Sequence, residues 1–246
     1  MPAVPEVVDR DAWVQQRNAL LGREKAHTRE GDAIAAARRR LPMIKVDAQA
    51  KLLGEHGPVP FLDIFQGRDQ LIVYKHMWWP GAGIEGQCEG CTASLFDVHD
   101  TSYLHHRGVS FAVFADAPWD EIAPFKEFMG YPYDWYSATG VEDEAVASSL
   151  DAERGNYSCY LRVGDDVYLT YEVTGRGVET AMVQAHLLDL TVYGRQEEWE
   201  DSPAGWPQHP TASWWQRDGR PVPQWSRPGA APADPSLGQA ARKHCH

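Results

Sequence analysis

Three stretches decide the predicted fold: Gln70-Leu-Ile-Val-Tyr-Lys-His-Met77, Cys88-Glu-Gly-Cys91 and Val109-Ser-Phe-Ala-Val-Phe-Ala115. The first and the last have the continuous apolar character of strands that are covered on both faces. The segment from Cys88 to Gly108 predicts a helix between them, because a glycine favours the end of a helix. Strand, helix and strand at this spacing predict a right-handed unit with two parallel strands.

Further elements are predicted on the carboxyl-terminal side of this unit. Pro118 opens a second helix, and residues 156–163 and 167–173 predict a β-hairpin. An amphipathic helix follows from residue 178. This order of elements is that of an α/β, thioredoxin-like fold, with a central sheet flanked by helices.

The sequence predicts four parts: a helical arm at 1–43, the thioredoxin-like domain at 44–195, a Trp/Pro-rich extension at 196–226 and a flexible tail at 227–246. Within the arm, Gly22 and Gly31 are expected to break the helical stretch into two pieces. The arm is also expected to join copies of the chain into a homo-oligomer.

Composition excludes several classes of protein. The 246 residues carry 23 Lys and Arg against 35 Asp and Glu, a net charge of −12. Nucleic-acid binders and polybasic membrane-surface proteins need a basic face, so we expect no nucleic-acid or membrane partner. The longest apolar stretches fall far short of the ~20 residues that span a bilayer. Because the amino terminus lacks the pattern of a signal peptide, a cytoplasmic location is expected.

The chemistry is predicted to reside in Cys88 and Cys91. The amino terminus of a helix stabilises a thiolate through its dipole and its unpaired N–H groups. In such a pair one thiolate attacks a substrate sulfur and the other resolves the mixed disulfide, so Cys88 is expected to attack and Cys91 to resolve. Glu89 acts against this, because a neighbouring carboxylate raises a thiol pKa. Cys159 and Cys245 are expected to be incidental.

Longer motifs carry a resemblance to a known family. They are AWVQQRNALLGREKAHTR (12–29), RRRLPMIKVD (38–47), FLDIFQGRDQLIVYKHM (61–77), the Cys-Glu-Gly-Cys helix and GRGVETAMVQAHLLDLTVYGRQEEWEDSPAGWP (175–207). With them the chain resembles a bacterial family of unknown function, whose members are predicted thioredoxin-like dithiol–disulfide oxidoreductases distantly related to peroxiredoxins. The resemblance implies thiol-dependent redox chemistry at the two cysteines.

The chain departs from the family pattern in several places. The family's Gly-Cys-Pro-x-Cys-Ser is Gln87-Cys-Glu-Gly-Cys-Thr92 here, and its Tyr-His-Phe-Met is Tyr74-Lys-His-Met77. A histidine has therefore moved by one position, which changes the face of the strand that it occupies. Thioredoxin-like oxidoreductases in general commonly place a cis-proline before the strand that faces the cysteine pair; this chain has no proline there, and Asn156-Tyr157 is expected to fill its place. These departures favour a small or specialised substrate over a general role in protein disulfide reduction.

Two alternatives remain open. In the first, the chain is a copper-dependent oxidoreductase in which Cys88, Cys91 and a histidine bind the metal. His76 is the best placed candidate, ahead of His99, His105 and His106. In the second, the chain is a non-catalytic binding protein that retains the thioredoxin-like fold. No cofactor other than copper is indicated.

The substrate, a small molecule or a thiol, is expected to meet side chains around the cysteine pair. Arg176 precedes the last predicted helix and is a candidate for holding an anionic group. Trp78 and Tyr136 are candidates for the walls of an aromatic pocket. Tyr157 begins the strand predicted to face the pair.

Overall fold

The computed structural model describes residues 3–147, 155–217 and 220–225, and the predicted tail at 227–246 lies outside them. Its centre is an eight-stranded sheet in the order β1-β8-β7-β4-β5-β6-β2-β3. The strands are β1 (Ile44–Val46), β2 (Lys51–Gly54), β3 (Gly57–Pro60), β4 (Gln70–His76), β5 (Val109–Ala115), β6 (Asp134–Ser137), β7 (Asn156–Val163) and β8 (Asp166–Thr174), and a separate pair is formed by β9 (Gln216–Arg217) and β10 (Arg220–Pro221). The helices are α1 (Arg10–Arg38), α2 (Glu89–Phe96), α3 (Ser102–His106), α4 (Trp119–Met129), α5 (Glu144–Ala147), α6 (Val183–Leu188) and α7 (Val222–Trp225).

The predicted strand–helix–strand unit is confirmed. β4 and β5 pair in parallel over seven residues, and β6 continues the parallel part of the sheet beside β5. On the other side of β4, the predicted hairpin is formed by β7 and β8, and β7 runs antiparallel to β4. This topology is the α/β, thioredoxin-like fold that the sequence predicts.

Side chains along β4 alternate between two hydrophobic clusters on opposite faces of the sheet, as expected for a strand covered on both sides. Leu71 and Val73 belong to a cluster that includes the 3-10 helix Phe61–Phe65. Tyr74 belongs to a second cluster, which includes Cys88, Cys91 and residues of α4. We call this second cluster the cysteine face of the sheet.

A buried ion pair joins β4 to β8 on the face opposite the cysteines. Lys75 Nζ lies 3.2 Å from Glu172 Oε1, and both side chains are 6% exposed. The same carboxylate oxygen accepts hydrogen bonds from Ser158 Oγ at 2.7 Å and from Asn156 Nδ2 at 3.3 Å. Burial lowers the pKa of Lys75, while the charge of Glu172 opposes that shift. Since buried charges need partners, this network fixes the start of β7 against the end of β4.

The predicted break in the amino-terminal arm is wrong, because α1 is one continuous helix of 29 residues. Asp9 caps its start, accepting the Ala12 N–H at 2.8 Å. A Cβ placed on Gly22 or Gly31 would meet nothing within 4 Å, so both lie where the helix is open to solvent. There a glycine costs only about 1 kcal/mol of helix propensity. No residue of α1 is buried, and its part in an oligomer stays a prediction.

The single helix predicted from Cys88 to Gly108 is also wrong, because α2 ends at Phe96 and α3 starts at Ser102. Asp97 follows α2 and accepts hydrogen bonds from the backbone and side-chain nitrogens of Gln184, at 3.1 and 2.9 Å. Asp100 Oδ1 accepts the Ser102 N–H at 2.8 Å and starts the next helix. The two carboxylates thus divide a stretch whose apolar pattern alone suggests continuity.

The amphipathic helix predicted from residue 178 has a different form as well. Residues 175–181 form a 3-10 helix, and only α6 is α-helical. Farther along, α7 lies against α2 and brings the carboxyl-terminal extension to the cysteine face. Within the described part of the chain, none of the helices combines the length and apolarity needed to cross a membrane.

Candidate active site

Cys88 lies at the amino end of α2 and caps it. Its Sγ accepts a hydrogen bond from the backbone N–H of Cys91 at 3.3 Å. The N–H and the hydroxyl of Thr92 both donate to the Cys88 carbonyl, at 3.0 and 2.8 Å. The helix therefore starts where the sequence predicts, and the sulfur receives one of the N–H groups that a helix leaves unpaired. A hydrogen bond donated to sulfur favours its charged form.

Cys91 lies one turn farther along α2, and its side chain, like that of Cys88, is almost entirely buried. Its Sγ accepts the backbone N–H of Met77 at 3.4 Å, and the Tyr74 hydroxyl is hydrogen-bonded to the same sulfur. Burial raises the pKa of Tyr74 well above its ordinary value, and the neighbouring Cys91 raises it further. The hydroxyl therefore keeps its proton and serves as a donor to sulfur.

Tyr74 is a site residue that the sequence analysis missed. The signal was present in the alternation of β4, because side chains two residues apart on a strand share a face. Tyr74 and His76 occupy one face, and the chain leaves that strand directly for the loop that carries Cys88. The continuous apolar run concealed this alternation.

Gly155 brings the backbone of the facing strand close to the pair. A Cβ added there would lie 2.7 Å from Cys91 Sγ and 2.5 Å from the Tyr74 hydroxyl. No real Cβ adopts such distances without displacing its neighbours, so the site depends on a glycine. The sequence predicts Asn156-Tyr157 at this place, whereas the residue against the sulfur is Gly155, the one before them.

Two predicted substrate residues share the cysteine face. Trp78 and Tyr157 belong to the same buried cluster as Cys88 and Cys91. The Tyr157 hydroxyl donates to the Ser94 carbonyl of α2 at 3.0 Å, so it ties β7 to the helix that carries the pair. Burial raises the pKa of Tyr157, which leaves its hydroxyl neutral.

The other two predicted substrate residues lie in different surroundings. Tyr136 belongs to the cluster on the opposite face of the sheet. Arg176 makes an ion pair with Glu179, at 2.9 Å, and its guanidinium lies 3.8 Å from the ring centre of Trp199. These contacts hold the guanidinium against protein groups.

His76 is buried in an aromatic shell on the cysteine face. Its ring centre lies 5.8 Å from that of Trp78 and 5.5 Å from those of Phe125 and Trp135. Nδ1 lies 2.6 Å from the carbonyl oxygen of Met77, which can only accept, so Nδ1 carries the hydrogen. Burial lowers the pKa of His76 to about 4, which keeps the ring neutral at pH 7.

The copper alternative requires a third ligand beside the two cysteines. Within the residues that the structure describes, no three His, Cys, Asp or Glu side chains are grouped closely enough to hold a metal ion. His76 therefore does not complete a set with Cys88 and Cys91. The two sulfurs instead accept hydrogen bonds from N–H and O–H groups, an environment that suits thiol chemistry.

Cys159 is on β7, where it pairs with Ile72 of β4. Burial raises the pKa of its thiol to about 11, and a thiol that stays protonated is a poor nucleophile. Its predicted incidental role is consistent with this environment. Cys245 lies outside the described residues.

An open cavity of about 280 Å³ adjoins the loop before Cys88, with Trp78, Gln87, Glu121 and Phe125 among its walls. Glu121 Oε2 accepts hydrogen bonds from Trp78 Nε1 at 3.1 Å and from the Gly81 N–H at 3.0 Å. These bonds hold the pKa of Glu121 below its ordinary value. The cavity thus combines aromatic walls with one carboxylate.

Comparison with protein families gives one match. The family described as "Bacterial protein of unknown function (DUF899)" matches residues 2–220. The chain belongs to this family. Its membership confirms the resemblance that the motifs indicated. No match was found among curated proteins.

Several solved structures are similar to parts of this DUF899 protein. Peroxiredoxin Q of Xanthomonas campestris is 10% identical, with a TM-score of 0.41, over 59% of this chain and 94% of that one. A putative thiol:disulfide interchange protein DsbE of Chlorobium tepidum is 12% identical, with a TM-score of 0.38, over 60% and 97%. Peroxidoxin BcpB of Mycobacterium tuberculosis is 13% identical, with a TM-score of 0.36, over 58% and 96%.

Proposed function

We propose that this DUF899 protein is a thiol–disulfide oxidoreductase in which Cys88 and Cys91 cycle between dithiol and disulfide. One observation carries the proposal: both sulfurs accept hydrogen bonds at the start of a helix. Cys88 accepts from the Cys91 N–H, and Cys91 accepts from Met77 and from Tyr74. Because hydrogen bonds to sulfur favour the thiolate, this arrangement activates the nucleophile of disulfide exchange.

The positions of the two sulfurs give them different roles. Cys88 lies at the tip of α2, where the partial positive charge of the helix is concentrated. Cys91 Sγ lies between the end of β4 and the backbone of Gly155. We therefore assign attack on the substrate to Cys88 and resolution to Cys91.

The exchange balances without a cofactor. The Cys88 thiolate attacks one sulfur of a substrate disulfide, the substrate S–S bond breaks, and the first thiolate leaves. The Cys91 thiolate then attacks the Cys88 sulfur, and the second substrate thiolate leaves. Two electrons pass from the dithiol to the substrate, and the two thiol protons end on the products. A second dithiol, acting by the same exchange, returns the protein to its reduced form.

The cavity beside Gln87 supports a small substrate. Gln87 is the residue before Cys88, and its amide holds the backbone N–H and carbonyl of Trp79, each at 3.0 Å. This pair of bonds fixes the loop between the cavity and the cysteine. Aromatic walls such as Trp78 favour a compact group over an extended peptide, which needs a strand edge to bind.

Trapping with glutathione tests the assignment. Reduced protein is mixed with oxidised glutathione, quenched with acid, alkylated and analysed by mass spectrometry. We expect the wild-type chain to form a Cys88–Cys91 disulfide and to release two molecules of glutathione. Cys91→Ser should stop at a mixed disulfide between Cys88 and glutathione, because the resolving thiol is missing.

Two further variants make the test decisive. Cys88→Ser should trap far less glutathione on Cys91, and Cys159→Ser should behave as wild type because its thiol has a raised pKa. Glutathione on Cys91 at the rate expected for Cys88 would reverse the two roles. A wild-type chain that never forms the disulfide would refute the proposed function.

A further inference from the structure

The carboxyl-terminal extension passes over the loop and the helix start that carry Cys88. We call residues 215–217 and 220–225 the C-terminal strap. It comprises β9, β10 and α7, and the Val222 N–H donates to the Trp215 carbonyl at 2.7 Å, which closes the segment on itself. The strap is therefore a folded unit with its own hydrogen bonds.

The strap contacts both residues between the cysteines. The ring of Trp215 lies directly on Gly90, so that a Cβ added to Gly90 would collide with it. The adjacent Gln216 donates from Nε2 to Glu89 Oε1 at 2.6 Å. The absence of a side chain at Gly90 thus leaves space for the indole of Trp215, and the carboxylate of Glu89 is hydrogen-bonded to the strap.

The strap is also fixed on the other side of Cys88. Gln224, which is fully buried, donates from Nε2 to the carbonyl of Gln87 at 3.1 Å. Arg220 makes an ion pair with the buried Glu85 at 2.8 Å, and its guanidinium lies 3.6 Å from the ring centre of Trp225. The loop before Cys88 is thereby bound at two positions.

Strap contacts therefore flank Cys88 on both sides along the chain, and Cys88 itself is 4% exposed. Gln87 precedes it, and Glu89 and Gly90 follow it, and each contacts a different strap residue. A nucleophile covered in this way is reached either through a narrow gap or after the cover moves. Bulky reagents depend on movement of the cover much more than small ones.

We propose that the C-terminal strap selects the substrate of Cys88 by size, with Trp215 as the residue that sets the limit. The inference rests on the proposed function and adds the substrate class: low-molecular-weight disulfides are admitted, and the disulfides of folded proteins are excluded. Gly90 is the matching position on α2, since any side chain there displaces the indole.

Alkylation of Cys88 with reagents of two sizes tests the proposal. The full-length chain carries Cys159→Ser and Cys245→Ser, and the rates of iodoacetamide and of a polymer-linked maleimide at Cys88 are followed by peptide mass spectrometry. In Trp215→Ala we expect the polymer reagent to react about tenfold faster or more, since each 1.4 kcal/mol lost from the closed state multiplies the open population by ten. The iodoacetamide rate should rise much less.

Three variants complete the labelling test. Trp206→Ala is the matched control, because Trp206 is a tryptophan of the same extension that packs on Tyr193. Gly90→Ala should raise the ratio of polymer to iodoacetamide rates as Trp215→Ala does. The double variant should add little, because the two changes remove one shared contact. An unchanged ratio in both Trp215→Ala and Gly90→Ala would overturn the proposal.

Labelling requires no turnover, so it separates this inference from the proposed function. If glutathione trapping fails while the labelling ratio rises, the strap is a cover and the exchange reaction is wrong. If trapping succeeds and the ratio stays constant, the pair is redox-active and the strap does not select. A second experiment uses substrates of two sizes. Trp215→Ala should react faster than wild type with the disulfides of insulin, while its rate with oxidised glutathione should change little. Loss of both rates together would contradict selection by size.

Discussion

Replacing Tyr74 with phenylalanine tests how the protein tunes its cysteine pair. The hydroxyl is hydrogen-bonded to Cys91 Sγ, and its raised pKa keeps it a donor. Tyr74→Phe removes one of the donors to that sulfur and keeps the ring, while the Met77 N–H remains at 3.4 Å. The thiolate loses stabilisation and the uncharged disulfide loses little, so the equilibrium moves toward the disulfide.

The size of the shift follows from the energy of one bond. A hydrogen bond to a charged group contributes about 1.5–3 kcal/mol. In a two-electron couple about 30 mV corresponds to 1.4 kcal/mol. We therefore expect the reduction potential of Tyr74→Phe to be about 30–60 mV more negative than that of wild type. The measurement is the oxidised fraction across glutathione buffers near pH 8.5, where an ordinary thiol is about half ionised.

Tyr157→Phe is the matched control for this prediction. It removes a buried hydroxyl from the same face, but that hydroxyl donates to the Ser94 carbonyl and not to a sulfur. We expect its potential to stay close to that of wild type. An equal shift in both variants would assign the effect to general packing. A potential for Tyr74→Phe that is unchanged or higher would refute the reasoning.

The structure supports three further predictions. The pKa of His76 is about 4 in the folded protein against 6.5 in the unfolded chain, so the stability that the neutral ring contributes is complete above pH 6.5 and is lost as the pH falls toward 4. Between pH 7 and 5, the free energy of unfolding in urea should therefore fall by about 2 kcal/mol more for wild type than for His76→Gln. A difference of zero, or an equal difference between wild type and His186→Gln, would contradict this. Glu172→Gln removes the charge that pairs with the buried Lys75 and should lower the free energy of unfolding by about 3–5 kcal/mol in the same assay. The double variant Lys75→Met with Glu172→Leu should recover part of that loss. Losses that add up in the double variant would show that the pair is not coupled. Gly155→Ala should slow glutathione trapping because the new methyl group meets Cys91 Sγ and the Tyr74 hydroxyl; wild-type trapping would show that the backbone moves aside without cost.

Local sequence patterns were sufficient to predict the centre of the fold. The apolar runs of β4 and β5 and the cysteines between them predict a parallel unit, because these signals span only a few residues each. The continuous α1 was missed because Gly22 and Gly31 are open on all sides, so their effect depends on surroundings that a sequence does not show. The division between α2 and α3 was missed because Asp97, at the end of α2, accepts a hydrogen bond from the Gln184 N–H, a contact between distant parts of the chain.

The candidate site shows the same limit. Cys88 and Cys91 are visible as a spaced pair, and Tyr74 was available from strand alternation. The Glu89–Gln216 contact joins residues 127 positions apart, and no local pattern indicates it. For that reason the sequence predicts only an electrostatic influence of Glu89 on the thiol, whereas in the structure its carboxylate accepts a hydrogen bond from Gln216 of the strap.

The different surroundings of the two sulfurs predict an order for the proposed reaction. Cys91 is enclosed by Met77, Tyr74 and Gly155, all of which belong to the rigid centre of the sheet or its immediate ends. The residues on either side of Cys88 are bonded to the C-terminal strap through side chains, and we expect such contacts to open at lower cost than a packed sheet. We therefore expect a substrate to react first with Cys88, and Cys91 to attack only the sulfur that is already attached to Cys88. For the same reason we expect outside reagents to modify Cys88 before Cys91 in the reduced protein.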